Sequence, residues 1–291
     1  MERSGTMAVE PTWSLLLELS RRHLEAVSVW LVAHGVSSYE ERPAKLGVCV
    51  VVYAPTSEPL LGLRDALLAH LATVGVEAGE VRSELALVPA TWALEWTKYL
   101  EPVALTPTLT LYPQRPERPP LPGELYLEPA FAFGFGEHAS TRLAAAWLEE
   151  ACRRGPGCSV LDVGCGTGVL ALVARRAGAG AVLGIDVADA AIAAARANAE
   201  INGIDGVSFR SVSVDGLDVR FDCVVANIEA NVLELLAPGI AARVRTGGEL
   251  ALAGFIDEQC DGVVRCYAAA GIRLERHAKV DDWCLLVGTR G

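Results

Sequence analysis

Apolar and polar positions along this chain of 291 residues follow two different rhythms. Over the first 88 residues short strand-like and helix-like patterns alternate quickly. WSLLLEL (13–19) reads as a strand, and RRHLEAVSVWLVAHG (21–35) as an amphipathic helix stopped by Gly35. A short strand is expected near 36–40. The β-branched run GVCVVVYAP (47–55) is a second clear strand, PLLGLRDALLAHLATVG (59–75) a second helix, and VRSELALV (81–88) a closing strand. The resulting order, βαββαβ, predicts a small α+β domain of the ferredoxin-like kind.

TWALEWTKYL (91–100) reads as a helix and is followed by extended chain. PQRPERPPLPG (113–123) carries five prolines, which suit a stiff connector and forbid a helix or central strand, so the domain junction is expected there. From residue 140 the pattern becomes regular. Helices at 141–153, 168–177, 188–202, 231–244 and 257–270 alternate with strands at 159–164, 181–186, 207–214, 221–227 and 248–254. The last residues, IRLERHAKVDDWCLLVGTR, read as an antiparallel hairpin. Strands separated by helices predict a parallel sheet covered on both faces, with a ligand beyond the carboxyl ends of the strands. The expected division is therefore 1–90, a linking segment 91–123, and 124–291.

Composition narrows the function classes. The net charge of −11, from 25 Lys and Arg against 36 Asp and Glu, disfavours a stable nucleic-acid complex and favours a basic partner. No apolar run reaches the roughly 18 residues of a membrane span, and the N-terminal stretch lacks a signal-peptide core. The eight cysteines (49, 152, 158, 165, 223, 260, 266 and 284) show no CxxC pair and no zinc-type spacing, so no metal is expected. Their place in apolar runs fits a reduced, cytoplasmic protein.

VLDVGCGTGVLAL (160–172) is the strongest local signal. A β-rich run carries Asp162, a candidate cofactor contact, and Gly164, Gly166 and Gly168 then lead straight into a helix, a turn that lets backbone N–H groups approach a ligand. The spacing is G-x-G-x-G. Val169 stands where a dinucleotide fingerprint needs glycine, and no lysine follows as in a P-loop. Asp186 ends the next strand, placed to take both hydroxyls of a ribose. This combination resembles the class I S-adenosylmethionine-dependent methyltransferases. Asn227 ends the strand FDCVVAN and either caps the following helix or holds a nucleophilic nitrogen. A lysine amine must shed a proton before it attacks, at a cost of about 4.6 kcal/mol at pH 7, and an oriented acceptor aims its lone pair.

FGFGEHAST (133–141), the glycine turn, GIDVADAAIAAARANAEINGI, VVANIEANVLELLAP and DDWCLLVGTR together resemble the bacterial ribosomal protein L-eleven methyltransferases, the PrmA family. ATWALEWTKYLEPVAL resembles that family's interdomain helix and strand. The resemblance covers 91–291; before that only the element order agrees. It implies a class I Rossmann-like methyltransferase domain with a C-terminal antiparallel hairpin, preceded by a ferredoxin-like substrate-recognition domain. It implies N-methylation of lysine side chains and of the N-terminal amine of a basic ribosomal protein, by a monomer using S-adenosyl-L-methionine. The family's cofactor-contacting positions fall on Thr141, Gly164, Asp186 and Asn227, and Phe133 and Gly134 match its aromatic lid. Phe135, Glu137 and Glu229 depart from the family's usual residues, at positions expected to face the acceptor. Glu229 either draws in the ammonium or favours the helix start, and His138 is either a base or a structural residue of the turn. The alternative acceptors are another protein's lysine (of the electron-transfer flavoprotein subunit type), a small molecule or a nucleic acid.

Overall fold

The computed structural model describes residues 12–34, 36, 39–54, 56–77, 79–88, 102–113, 118–127 and 138–291. The chain forms two compact units, Met1–Tyr99 and Leu100–Gly291.

In the first unit, β1 (Thr12–Leu19) leads through a 3-10 turn to α1 (Leu24–Ala33), followed by β2 (Glu40–Ala44), β3 (Gly47–Ala54), α2 (Ser57–Thr73) and β4 (Val81–Val88). The four strands pair antiparallel in the order β2-β3-β1-β4, as a ferredoxin-like βαββαβ chain requires. Alternation along β1 sends Leu15, Leu17 and Leu19 into one core with Val48, Val50 and Val52 of β3 and Leu60, Leu67 and Leu71 of α2. The second strand lies a few residues beyond its expected place near 36–40. Pairing of Ala44 with Gly47 closes a two-residue turn at Lys45 and Leu46, and an edge strand tolerates Pro43. The Leu46 N–H donates to Glu18 Oε1 at 2.8 Å, tying that turn to β1.

The second unit opens with three short strands, β5 (Val103–Ala104), β6 (Thr110–Tyr112) and β7 (Glu124–Tyr126), which form their own sheet. Leu105, Leu109, Leu111, Leu125 and Leu127 are buried in the core of this unit. That burial explains why the units divide at Tyr99 and Leu100, upstream of the proline-rich stretch where the junction was expected. The expected helix at 91–100 lies outside the described residues.

The remainder runs α3 (Ala139–Arg154), β8 (Ser159–Val163), α4 (Val169–Arg176), β9 (Ala181–Asp186), α5 (Asp189–Ile201), β10 (Val207–Ser211), β11 (Phe221–Asn227), α6 (Ala230–Arg243), β12 (Val244–Ile256), α7 (Cys260–Ala269), β13 (Ile272–Val280) and β14 (Trp283–Arg290). The seven strands pair in the order β10-β9-β8-β11-β12-β14-β13. The first five are parallel, and the terminal hairpin joins antiparallel through β14. Side-chain alternation divides the sheet between two cores. Val160, Val182, Val225 and Ala251 join Leu148, Leu170 and Ile192 on one face. Leu161, Leu183, Val224 and Leu250 join Leu233, Ile240 and Tyr267 on the other. The chain crosses from β10 on one side to β11 on the other between β8 and β11, the switch point beyond whose strand ends a doubly wound sheet binds its ligand.

Asn202, just beyond α5, locks the small sheet to this layer. Its Nδ2 donates to Tyr126 O at 2.6 Å, and its Oδ1 accepts from the Tyr126 N–H at 2.8 Å. Asn202→Ala strands two buried backbone groups, so urea unfolding should show a loss of about 2–4 kcal/mol.

Candidate active site

The ends of β8, β9 and β11 meet the start of α3 at this switch point. The glycine turn leaves β8 through left-handed backbone, with φ of 70° at Gly164, 50° at Gly166 and 80° at Gly168. The N–H groups of Gly164 and Cys165 both donate to Ile185 O, at 2.8 and 2.9 Å, fixing the turn against β9. A Cβ at Gly164 would lie 2.5 Å from Ile228 Cγ2, and one at Gly254 would lie 2.5 Å from Ile228 O. Two glycines therefore make room for the chain that leaves β11, and the Ile228 N–H is bonded to Ala253 O at 3.1 Å.

Asp186 faces this turn across the end of β9. Its Oδ2 accepts from the Gly166 N–H and its Oδ1 from the Ala188 N–H, each at 3.0 Å. Each carboxylate oxygen has a second lone pair, so the two backbone bonds orient the group and leave acceptor capacity for a pair of hydroxyls. Asn198, buried on α5, donates from Nδ2 to Thr167 O at 3.0 Å and so holds the turn from its other side.

At the end of β11 the Asn227 amide donates from Nδ2 to Thr141 Oγ1 at 3.1 Å. Thr141 is 1 % exposed in the first turn of α3. Among the described residues the Asn227 Oδ1 is buried with no hydrogen-bond partner. A buried acceptor without a donor is costly, and at the end of a strand beside the glycine turn it points to a ligand that brings an N–H or O–H. Asn227 does not cap α6: that position belongs to Glu229, whose carbonyl accepts from the Val232 and Leu233 N–H groups. The Glu229 side chain is exposed and makes no capping bond.

His138 caps α3 through its backbone, while its Nδ1 lies 2.7 Å from Ser140 Oγ and its ring meets Trp283 edge-on at 3.9 Å between centroids. Burial, and then the charge of Arg142, lowers its pKa from the ordinary value and keeps the ring neutral at pH 7. These contacts give it a structural role at the entrance of α3. Asp162 departs from its expected part as a direct ligand. It is 1 % exposed, and its Oδ2 accepts from the Ala171 N–H at 3.1 Å, so it clamps the first turn of α4. Burial pushes its pKa up to about 7, with the Asp186 charge adding in the same direction.

The structure thus brings Thr141, Asn227, Gly164, Gly166, Gly168 and Asp186 to one end of the sheet, and Phe133, Gly134, Phe135 and Glu137 lie outside the described residues. Asn198 escaped the sequence reading, although ARANAEINGI held its signal: it falls on the inward stripe of α5 with Ile192, Ala195 and Ile201. A cavity of about 470 Å³ lined by Leu143, Trp147, His277 and Leu285 includes none of these groups.

A doubly wound sheet of this order, with a glycine turn, an acid at the next strand end and a polar residue ending the fourth parallel strand, defines a class I S-adenosylmethionine-dependent methyltransferase. The family model described as "Ribosomal protein L11 methyltransferase (PrmA)" matches residues 21–291, and the chain belongs to that family. The ribosomal protein L11 methyltransferase of Dechloromonas aromatica (strain RCB) is 40% identical over 229 residues, 78% of this chain and 75% of its own. That of Burkholderia pseudomallei (strain K96243) is 35% identical over 302 residues, 95% of this chain and 97% of its own. A solved ribosomal protein L11 methylase from Lactobacillus delbrueckii subsp. bulgaricus superposes with a TM-score of 0.60 at 29% identity, covering 66% of this chain and 99% of that one. S-adenosylmethionine is accordingly the cofactor, and the acceptor capacity of Asp186 and the three glycines of the turn fit it.

Because the native state raises the Asp162 pKa, it binds the proton more tightly than the unfolded chain does. The stability linked to that proton is present below the ordinary value of 3.8 and is lost as pH rises toward 7, by on the order of 4 kcal/mol. Asp162→Asn keeps an acceptor for Ala171. Its melting temperature should exceed that of the wild type at pH 8 and vary less between pH 4 and 7, as thermal unfolding across that range will show.

Proposed function

We propose that this enzyme methylates amino nitrogens of ribosomal protein L11, both lysine side chains and the N-terminal amine. The observation that carries the reading is the buried, unpaired Oδ1 of Asn227 beside Thr141, an acceptor suited to an amine hydrogen. The family supports the acceptor protein: both relatives described above bear that name over most of their length. The net charge of −11 favours a basic protein over RNA. No described helix is long and apolar enough to cross a membrane, and a ribosomal substrate supports a cytoplasmic location for the reaction.

When bound, S-adenosylmethionine supplies a methyl group on a positively charged sulfur. Asp186 is the group to take the ribose hydroxyls, and the backbone of Gly164–Gly168 the surface for the amino-acid end. Thr141 accepts from Nδ2 and so fixes the Asn227 amide, leaving its Oδ1 to hold one hydrogen of the neutral amine and direct the nitrogen lone pair. The acceptor ammonium first loses its proton to solvent, which desolvation beside a cation makes easier. Among the described residues the site holds no strong dedicated base, so orientation is the main source of rate. Glu229, exposed at the mouth, and the Phe135 and Glu137 positions are where acceptor choice would be expressed.

The test is incubation with labelled cofactor and, separately, purified L11, total ribosomal RNA and a metabolite extract. Label on L11, mapped by mass spectrometry to lysines and the N-terminus, is the expected result; label only in RNA or metabolites would overturn the reading. Thr141→Val removes the acceptor for Asn227 Nδ2. It should lower kcat at saturating cofactor by about tenfold, the scale of one lost buried hydrogen bond, as steady-state methyl transfer will show.

A further inference from the structure

Away from the glycine turn, three metal-ligating side chains converge from three elements. Asp257 opens a 3-10 turn directly after β12, Cys260 is the first residue of α7, and Cys284 is the second residue of β14. Their ligand atoms all lie within 4.8 Å of one another. Cys260 and Cys284 are buried, at 3 % and 0 % exposure, while the Asp257 side chain is 30 % exposed and opens the cluster to solvent. Chain spacing hid the group: only two residues separate the first two members, and the third comes from the far side of the hairpin.

The distances suit a tetrahedral ion. Zinc bonds of about 2.3 Å to sulfur and 2.0–2.2 Å to oxygen give an S···O edge of about 3.5–3.7 Å, and Cys284 Sγ lies 3.5 Å from Asp257 Oδ1. The charges suit it as well. Two thiolates and a carboxylate around a divalent ion leave one excess negative charge. Lys279 Nζ, 2.9 Å from Asp257 Oδ2, and Arg276, ion-paired to Asp257 Oδ1, stand ready to offset it. We propose that Asp257, Cys260 and Cys284 form a binding site for a thiophilic divalent cation of the zinc type, with water as the fourth ligand. On binding, the two thiols release two protons to solvent, both sulfurs and one carboxylate oxygen donate electron pairs to the ion, and nothing is oxidised or reduced. The ion would pin the start of α7 to the β13–β14 hairpin, where the Asp257 N–H already donates to Asp282 O at 2.8 Å. The next residue, Trp283, carries the ring that meets His138 at the entrance of α3.

The experiment is titration of the reduced full chain with cobalt(II) alone. One equivalent should produce the visible bands of tetrahedral cobalt and a near-ultraviolet thiolate-to-cobalt transition, both abolished by added zinc. Cys260→Ser should weaken cobalt binding about a hundredfold, and Asp257→Asn, which leaves the buried thiols in place, at least about tenfold. Cys158→Ser should change nothing. Absence of the bands in the wild-type protein, or bands that persist at unchanged affinity in both ligand variants, would overturn the site. So would a loss of two titratable thiols mapped to a Cys260–Cys284 disulfide in protein handled without reductant but never exposed to metal.

Discussion

Ile228 occupies the space that side chains at Gly164 and Gly254 would need, and the site depends on that close approach. A Cβ at Gly254 would lie 2.5 Å from the Ile228 backbone and one at Gly164 2.5 Å from its side chain, so replacing the first moves the chain that leaves β11 and replacing the second displaces the Ile228 side chain. The ends of β8, β11 and β12 are thereby drawn together, and Asn227, one residue earlier, is set beside the glycine turn and opposite Thr141. Hydrogen bonds complete the arrangement: Gly166 to Asp186, Asn198 to Thr167, and Asn227 to Thr141. Each joins a different pair of elements, so the cofactor surface is a property of the packed sheet rather than of any one loop.

Burial is distributed unevenly over this surface, and the unevenness assigns roles. Asp162 and Asp186 stand at neighbouring strand ends. The first is sealed under α4 and drawn toward its protonated form, whereas the second is partly exposed with its oxygens oriented by two backbone donors. The exposed carboxylate can answer a ligand; the sealed one holds a helix. At Asn227 the amide nitrogen is satisfied and the oxygen is not, a polarity suited to a nucleophile with hydrogens to give.

Much of this was legible in the sequence because it is local. The glycine turn, Asp186 at the end of β9, Asn227 at the end of β11 and the alternation of strands with helices all rest on short-range pattern, and the parallel pairing follows from that alternation. Long-range contacts were not legible. The Thr141–Asn227 bond spans 86 residues, and the burial that makes Asp162 a clamp is supplied by the packed helix α4. Asn198 and Asn202 looked like polar residues near a helix end until packing turned them inward. The junction between the units was misplaced for the same reason: proline count is local, whereas the burial of Leu105, Leu111 and Leu125 depends on α3 and its neighbours. The second strand of the first unit was displaced by a two-residue turn whose effect appears only through pairing.

The central claim is that the Asn227 Oδ1 orients the amine that receives the methyl group. It is tested most directly by the turnover of Asn227→Ala with saturating cofactor and saturating L11. The account predicts a kcat lower by about a hundredfold, the scale of a misplaced reactant, with the thermal unfolding midpoint of the ligand-free protein preserved. A kcat equal to that of the wild-type enzyme would contradict it.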